Sequence, residues 1–535
     1  MNTLNRPKIA LIIWSILVSV CLLALAFFYF RDWIGTRYDD AYITFRYAQQ
    51  FSEGNGFRFN PADNANSASP LLFGALLAIN GSVGIIAIPI FADILNLLGL
   101  FAAVYGLAVW SFNADESFVF SKTKNLFALS FLTSGYIGYW LFSGMETLFC
   151  IGLAVVALSQ IRKHFLEIST MENWINWNLI GWMYLLGIAR SELLLVSVSI
   201  GIWLVCGTFL ASIKTPARFS IKTWIWKASP LVGPSLATVT HIVIYRFYFG
   251  NLVADPIRFK RIVNYYMADP ESQWLLLKHF IGSKFLFLGI VALIGLVIQV
   301  LRSKVIKVWF GNTIPIISLG CLLVLLLISP NSDFFRYQLL LLPFLALTAV
   351  SAIPEPRKKT ISLLLSFALL ATTYQTVKIG FNDYRIMRDT AMADFPIQRA
   401  REYAGRFLEE NTAPNSTVWS GDLGSISFNN PSNQYFDGGG LTNRSIIQAV
   451  ENGVDYSTVL CEFRPDFIAD SIDVATDTPS VVWILDNLTS YFSPEKSRPY
   501  TSRTSNELFT LSNIWRNTGN GTVGVGVYKI NWIGC

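Results

Sequence analysis

The chain has 535 residues, of which 53% are hydrophobic and only 14% are charged. A soluble protein carries about a quarter charged residues, so this composition excludes an ordinary soluble enzyme and indicates a polytopic membrane protein. The net charge of +6 requires no nucleic-acid partner, because basic residues in cytoplasmic loops explain it. With only three histidines in the chain, we do not expect a histidine-based metal site.

Apolar runs that approach the ~20 residues needed to cross the hydrocarbon core recur along the chain. The first is longer than the apolar region of a secretory signal and lacks a small-residue cleavage site, so we expect a retained anchor. Residues 71–88 are also apolar but contain Gly81 and Gly84. They are consistent with a re-entrant, an interfacial or a short spanning segment. We predict a mainly α fold with about 11 transmembrane helices, at residues 9–30, 91–112, 126–142, 145–162, 178–190, 191–210, 228–249, 279–301, 309–329, 334–353 and 361–380.

Basic residues cluster in alternating loops between the predicted spans. They follow the fourth, sixth, eighth and tenth spans, at residues 162–163, 214–227, 302–307 and 357–359. Loops rich in Lys and Arg stay in the cytoplasm, so we expect a cytoplasmic N-terminus and an extracytoplasmic C-terminal region. The outward loops then contain most of the polar residues near the membrane. Such residues are functional candidates because they are costly at that depth.

The composition becomes typical of a soluble domain after residue 381. A helix-forming stretch precedes short β-rich runs that are separated by Gly, Asn and Pro turns, which indicates a compact extracytoplasmic α/β domain. We therefore divide the chain into a transmembrane module at 1–380, which includes a first external loop at 31–70, and an α/β domain at 381–535. Cys461 and Cys535 lie in this domain. Oxidising conditions would allow them to pair, but the sequence does not fix the distance between them.

Two adjacent aspartates, Asp39 and Asp40, follow the first apolar run and begin the segment DDAYITFRYAQQFSEGNG. If this segment is helical, the carboxylates lie in its first turn, where the helix dipole favours negative charge, and "GNG" ends the helix. Two interpretations stay open. The pair either caps an interfacial helix or holds a carboxylate at the membrane surface as a general base or metal ligand. One face of the helix would carry Asp39, Ile43, Arg46 and Gln50.

This segment resembles the first external loop of bacterial polytopic glycosyltransferases of the GT-C superfamily, which use polyprenyl-phosphate sugars and include arabinofuranosyl- and mannosyltransferase-like members. The pattern is an acidic pair, an aromatic and arginine helix, a Gly-x-Gly stretch that ends in Asn-Pro, and a Ser-Pro entry to the next helix. The matching residues here are Asp39–Asp40, Phe45–Arg46–Tyr47, Gly54 to Pro61 and Ser69–Pro70.

Later stretches resemble further elements of the same superfamily, in the same order. Ser191, Leu193 and Ile257 differ from the residues usual there. The stretches are SGMET (143–147), ARSELLL (189–195), YRFYFGNLVADPIRFK (245–260), SDFFRYQLLLLP (332–343), GDLGSISF (421–428) and FDGGGLTNRSI (436–446).

The resemblance implies a GT-C-like fold and a set of site residues. We expect Asp39 to be the general base, with Asp40 second, because adjacent helical residues point about 100° apart and only one can face the acceptor. Glu146 either orients an arginine, touches the sugar or caps a helix, and Asp93 has no evident partner. A divalent cation at Asp39 and Asp40 stays open, and no other cofactor is required. The residues implied for the donor phosphate and sugar are Arg46, Glu146, Arg190, Glu192, Arg246, Lys260, Asp333, Arg336 and Tyr337.

The predicted function is that of an integral membrane glycosyltransferase in the bacterial cytoplasmic membrane. It moves a sugar, by inversion, from a polyprenyl monophosphate donor to a cell-envelope glycan or glycolipid on the outer face. Its partners are the donor, the acceptor and the bilayer, with no nucleic acid. Two alternatives remain: a transporter or flippase of lipid-linked sugars, and a non-catalytic envelope scaffold with the same fold.

Overall fold

The structure is a computed structural model of the chain. It describes residues 6–61, 63, 65–67, 70–111, 118–167, 176–213, 227–252, 255, 310–328, 338–353, 359–437, 442–452, 454–482, 485 and 504–535.

Helices dominate the N-terminal part of the chain, as its long apolar runs predict. A 3-10 turn at Gln338–Leu340 leads into the helix at Leu341–Ala352, and a π-helical turn at Val243–Tyr248 extends the helix at Val232–Ile242. In chain order the helices are α1 (Arg6–Phe30), α2 (Asp39–Ser52), α3 (Leu71–Val83), α4 (Ile88–Ser111), α5 (Phe118–Ser130), α6 (Gly135–Leu141), α7 (Thr147–Glu167), α8 (Trp177–Ala189), α9 (Ser191–Ile213), α10 (Val232–Ile242), α11 (Ile314–Ile328), α12 (Leu341–Ala352) and α13 (Lys359–Asn411).

Five helices in the described ranges are long and apolar enough to cross a membrane: Ile9–Phe30, Ile88–Ser111, Thr147–Leu166, Ser191–Leu210 and Thr360–Asn411. Each overlaps a predicted span, and the chain is an integral membrane protein. The apolar helices α3, α8, α11 and α12 are shorter, and α3 occupies the segment whose role the sequence left open. The predicted span at 279–301 lies outside the described residues.

The prediction of one continuous span at 126–142 is wrong. Helix α5 ends at Ser130, a 3-10 turn occupies Phe131–Thr133, and Ser134 is extended before α6 begins. Helix α13 packs closely against this break, where a Cβ on Gly135 or on Gly380 would overlap backbone atoms of the other segment. The break therefore allows the backbone around Gly135 to touch the backbone of α13. The length of an apolar run does not by itself predict such a break.

Helix α13 runs without interruption through residue 380, where we placed the domain boundary. It has 53 residues, which corresponds to about 80 Å and is far more than the ~30 Å of hydrocarbon. Its first half is apolar and carries exposed side chains such as Leu364 and Phe367. Its second half packs against the C-terminal sheet through Ala400, Ala404 and Leu408. One helix thus connects the membrane module to the C-terminal domain.

The C-terminal region is an α/β domain, as predicted. The strands are β1 (Thr417–Ser420), β2 (Gln434–Asp437), β3 (Phe467–Asp473), β4 (Thr478–Pro479), β5 (Phe509–Asn517) and β6 (Val523–Trp532), and the helices are α14 (Leu423–Phe428), α15 (Arg444–Glu451), α16 (Tyr456–Phe463) and α17 (Ser505–Leu508). The sheet order is β2-β1-β3-β6-β5, and β4 pairs with β3. Strand β1 is parallel to β2 and to β3, whereas β6 is antiparallel to β3 and β5.

The two faces of the sheet bury different cores. On one face, Val418 and Ala469 pack with α13 and with Ile43 and Tyr47 of α2. On the other face, Trp419 and neighbouring apolar residues pack with α15, α16 and α17. The first external loop is therefore part of the hydrophobic core of the C-terminal domain.

A disulfide joins Cys461 of α16 to Cys535, with the two Cα atoms 5.5 Å apart. The sequence left this pairing undecided. The bond links Cys535 to α16, on the face of the sheet opposite to α2.

Candidate functional site

Helix α2 begins where the sequence predicts it and carries both aspartates in its first turn. The N–H of Tyr38, just before the helix, donates to the Ser143 carbonyl at 3.0 Å. The helix ends before Gly54, which has a left-handed backbone with φ +85°. Asp39 and Asp40 are both half-buried. The sequence thus defines the helix itself, and the remaining question is what each of its faces contacts.

Asp39 faces the C-terminal domain. Its two carboxylate oxygens accept hydrogen bonds from the backbone N–H groups of Gly424 at 3.1 Å and Ser425 at 2.8 Å. These groups belong to the first turn of α14, where unpaired N–H groups favour an anion. A Cβ at position 424 would overlap the Asp39 carbonyl oxygen, so this approach requires glycine.

Arg46 lies two turns further along the same face of α2 and is buried. Its guanidinium donates to the carbonyls of Ser427 at 2.8 Å, Asn430 at 3.3 Å and Asn433 at 3.0 Å. A fourth hydrogen bond goes to the Phe59 carbonyl at 3.2 Å. Arg46 is one of the residues predicted to bind the donor. All three of its side-chain nitrogens donate to backbone carbonyls, most of which belong to the C-terminal domain.

Arg401 of helix α13 interacts electrostatically with Asp39. Arg401 Nη2 donates to Asp422 at 2.7 Å and to the Ser471 hydroxyl at 3.2 Å. Desolvation raises the pKa of Asp39 to about 6; attraction to Arg401 opposes this shift and repulsion from Asp422 adds to it. The carboxyl group that the sequence places at the membrane surface is thus enclosed by charged groups of the C-terminal domain.

Asp470 of β3 adds a third carboxyl group to this cluster. It accepts hydrogen bonds from the N–H groups of Val481 at 2.7 Å, Gly421 at 3.1 Å and Asp422 at 3.2 Å. Burial, followed by repulsion from Asp422, raises the pKa of Asp470 to about 8. The cluster lies where β1 and β3 meet, and no pattern in the sequence indicates Asp470 or Arg401 as site residues.

Glu146, Arg190 and Glu192 form a buried ion-pair network between α7, α8 and α9. Arg190 donates to Glu146 at 2.6 Å through Nη1. It donates to Glu192 at 3.1 and 3.2 Å through Nη2 and Nε. Arg190 adopts an extended backbone between α8 and α9, which places its side chain between the two acids. Two carboxylates, those of Glu146 and Glu192, therefore surround one guanidinium.

A further ion pair joins buried Arg37 to half-buried Asp93 of α4. The sequence shows no evident partner for Asp93, and the structure supplies Arg37. Gly144, with φ +78°, lies against the Arg37 side chain and against Phe45, so a Cβ there would crowd both. Arg37 immediately precedes the Tyr-Asp-Asp sequence, yet nothing in the sequence pairs it with a residue 56 positions away.

Of the remaining predicted site residues, the structure describes only Arg246. Arg246 lies in the π-helical turn after α10, is exposed and donates to the Gly250 carbonyl at 3.0 Å. Lys260, Asp333, Arg336 and Tyr337 lie outside the described residues. Within the ranges that the structure describes, no group of three or more His, Cys, Asp and Glu side chains is arranged to hold a metal ion.

Comparisons with other proteins give one family match and several structural matches. The family described as a domain of unknown function (DUF8728) matches residues 390–523, which include the end of α13 and most of the sheet. A sequence comparison with curated proteins gives no match.

The chain is similar to ArnT from Cupriavidus metallidurans bound to undecaprenyl phosphate, with 10% identity over 98% of both chains and a TM-score of 0.47. ArnT in the apo state has 10% identity over 96% of this chain and 97% of that chain, with a TM-score of 0.49. The arabinofuranosyltransferase AftD from Mycobacteria has 12% identity over 96% of this chain and 41% of that chain, with a TM-score of 0.44.

Proposed function

We propose that this protein is an integral membrane glycosyltransferase that moves a sugar from a polyprenyl monophosphate donor to an acceptor hydroxyl. The acceptor is a cell-envelope glycan or glycolipid on the outer face of the membrane. The base is a carboxylate of the Asp39–Asp40 pair.

The convergence of three distant motifs carries this proposal. Tyr38 is hydrogen-bonded to Ser143, Gly144 packs against Arg37, and Glu146 is ion-paired with Arg190. The start of α2, the 143–147 loop and the junction between α8 and α9 therefore pack against one another. These are the segments in which the sequence resembles glycosyltransferases that use polyprenyl-phosphate sugars, and they are rich in acidic and cationic groups, as a sugar phosphate site requires.

We assign the base to Asp40 in preference to Asp39, which reverses the order expected from the sequence. Both oxygens of Asp39 already accept backbone N–H groups of the C-terminal domain, and these bonds favour a fixed carboxylate. Asp40 points about 100° away around the helix, which takes it off the face that docks on α14.

The proposed reaction inverts the anomeric carbon of the sugar. The Asp40 carboxylate takes the proton of the acceptor hydroxyl, whose oxygen forms a bond to the anomeric carbon. The bond from that carbon to the phosphate oxygen breaks on the opposite side, and its electron pair leaves with the polyprenyl phosphate. Cations must then stabilise the departing phosphate.

We assign that role to Arg246, Lys260 and Arg336. Arg190 is less suited to it, because two carboxylates surround its guanidinium. Glu146 and Glu192 then hold Arg190 in a fixed orientation, while Asp333 and Tyr337 are assigned to the sugar hydroxyls.

The disulfide supports an extracytoplasmic C-terminal domain, since disulfides persist in oxidising compartments. We therefore propose that the domain faces the outside of a bacterial cytoplasmic membrane. A membrane-impermeant thiol reagent, applied to intact spheroplasts after mild reduction, is expected to label Cys461 and Cys535. Labelling only after the membrane is broken would overturn this orientation.

The transfer reaction is tested with membranes that contain wild type, Asp39→Asn, Asp40→Asn or Asp32→Asn. Asp32 is an exposed aspartate that serves as a matched control. Each preparation receives radiolabelled polyprenyl-phosphate sugars, and label that enters envelope glycan or glycolipid is counted.

We expect Asp40→Asn to lower transfer by about 100-fold or more, the usual contribution of a general base, and Asp32→Asn to leave transfer unchanged. Transfer that survives in Asp40→Asn would remove this residue as the base. If wild type transfers nothing from any donor while a lipid-linked sugar crosses vesicles that contain it, the protein is a transporter of lipid-linked sugars instead.

A further inference from the structure

We infer that Asp39 is a positioning residue that seats α2 on α14, so that the C-terminal domain forms a structural part of the catalytic centre. This inference rests on the proposed function and deepens it. It divides the acidic pair into one carboxylate that fixes the helix and one that faces the acceptor.

In the contact between α2 and α14, each end of α14 meets a side chain of α2 whose charge is opposite to the partial charge of that helix end. Asp39 binds N–H groups at the N-terminal end of α14, and Arg46 binds the Ser427 carbonyl at its C-terminal end. The seven-residue spacing on α2 spans about 10.5 Å, and the six residues of α14 span about 9 Å. An anion at the positive end and a cation at the negative end of a helix both stabilise it. The two charges of α2 are therefore spaced to hold one helix of the other domain.

Three further contacts extend this attachment along α2 and the loop after it. The Tyr42 hydroxyl donates to Glu402 of α13 at 2.9 Å. The side-chain amide of Asn60 donates to the Tyr435 carbonyl at 2.7 Å and accepts from its N–H at 3.0 Å. Asp63 accepts the N–H of Arg444 at 3.0 Å. The first external loop is thus attached to α13, β2 and α15, and its position depends on the C-terminal domain.

The geometry also explains why Asp39 belongs to the attachment and not to the reacting atoms. Arg401 faces it from α13 and Asp422 faces it from the loop after β1, while Asp40 is its neighbour on α2. Each Asp39 oxygen holds a backbone N–H of the first turn of α14, so this carboxylate is fixed to the C-terminal domain. Asp40 has the same chemistry and, as the next residue of the helix, points about 100° away from Asp39.

Hydrogen exchange tests the contact without any substrate. The full-length protein in detergent is compared as wild type, Asp39→Ala, Asp39→Asn and Asp40→Ala, and exchange is followed at residues 420–428. We expect Asp39→Ala to speed exchange at Gly424 and Ser425 by about fivefold or more, the effect of losing one hydrogen bond. Asp40→Ala is expected to leave these amides protected. Equal protection in all four proteins would overturn the inference.

Transfer kinetics test the consequence for the reaction. Asp39→Asn keeps one acceptor oxygen, so we expect transfer about 10- to 100-fold below wild type, as for a misplaced catalytic group, and lower still in Asp39→Ala. The pH dependence of the residual transfer should keep the acidic limb of wild type, because Asp40 still supplies the base. Gly424→Ala, which displaces Asp39 from the other domain, should lower turnover to a similar degree.

The possible results separate this inference from the proposed function. An acidic limb that disappears in Asp39→Asn and persists in Asp40→Asn would make Asp39 the base and overturn the positioning role. If wild type shows no transfer with any donor, the proposed function fails and no catalytic positioning remains. The exchange data then still decide whether Asp39 holds α14.

Discussion

Two regions of the molecule neutralise buried charge in different ways. Between the helices of the membrane module, Arg190 pairs with Glu146 and Glu192. At the surface between α2 and the C-terminal domain, Asp39 and Arg46 instead bind backbone N–H and C=O groups. A side-chain ion pair loses its compensation when one partner is removed, and an uncompensated buried charge is costly. A charge held by backbone groups, as that of Arg46 is, leaves only polar dipoles behind. The two regions should therefore respond differently to neutral substitutions.

The largest effect is expected from Arg190→Met, which leaves Glu146 and Glu192 facing each other without a cation. Breaking a buried pair from one side costs about 3–5 kcal/mol. Thermal unfolding in detergent should show a large loss of stability or of folded yield. The double variant Arg190→Met/Glu146→Gln should recover part of it. A single variant as stable as wild type would contradict the ion-pair interpretation.

A smaller loss is expected from Arg46→Met, which removes a buried charge together with its hydrogen bonds to four carbonyls. We expect about 2–3 kcal/mol, because unsatisfied carbonyls remain but no opposite charge is left unpaired. The same unfolding experiment checks this value. Arg31→Met is the matched control, since the Arg31 side chain lies outside this contact and is 65% exposed. A loss larger than that of Arg190→Met would reverse the comparison between the two regions.

Gly424→Ala is expected to loosen the contact between α2 and α14 by about 1–3 kcal/mol, the usual result of forcing a methyl group into a packed site. Limited proteolysis should then cleave the chain faster at the contact between the first external loop and the C-terminal domain. Gly181→Ala on α8 is the control, because nothing lies within 4 Å of a Cβ at that position. Equal proteolysis of Gly424→Ala and wild type would mean that the two helices can separate without cost.

The last effect is a dependence of stability on pH, through Asp470. Its pKa is raised from 3.8 to about 8, so the folded protein keeps a proton that the unfolded chain has lost. Stability of the domain should therefore fall as pH rises from about 4 towards 8. Unfolding of the domain measured across this range should show that slope, and Asp470→Asn should flatten it. An unchanged slope in the variant would assign the pH dependence to other groups, with Asp39 the first to examine.

Much of the fold could be predicted from the sequence because it depends on local patterns. Apolar length identifies the five long helices, and an acidic first turn with "GNG" at the other end defines α2. Turn residues between short β-rich runs indicate the α/β domain. The nearness of Arg190 to Glu192 also follows from their spacing. These features depend on residues close together in the chain, where periodicity and capping act directly.

Only the tertiary structure decided which face of α2 meets which partner. Asp39 and Ser425 are 386 positions apart, and Arg37 reaches Asp93 across 56 positions. No local pattern encodes such contacts, because a charged side chain in a first turn looks the same whether it caps its own helix or another. The break in the predicted span at 126–142 and the Cys461–Cys535 bond have the same origin. Both depend on how distant backbones approach each other, which packing of the whole chain determines.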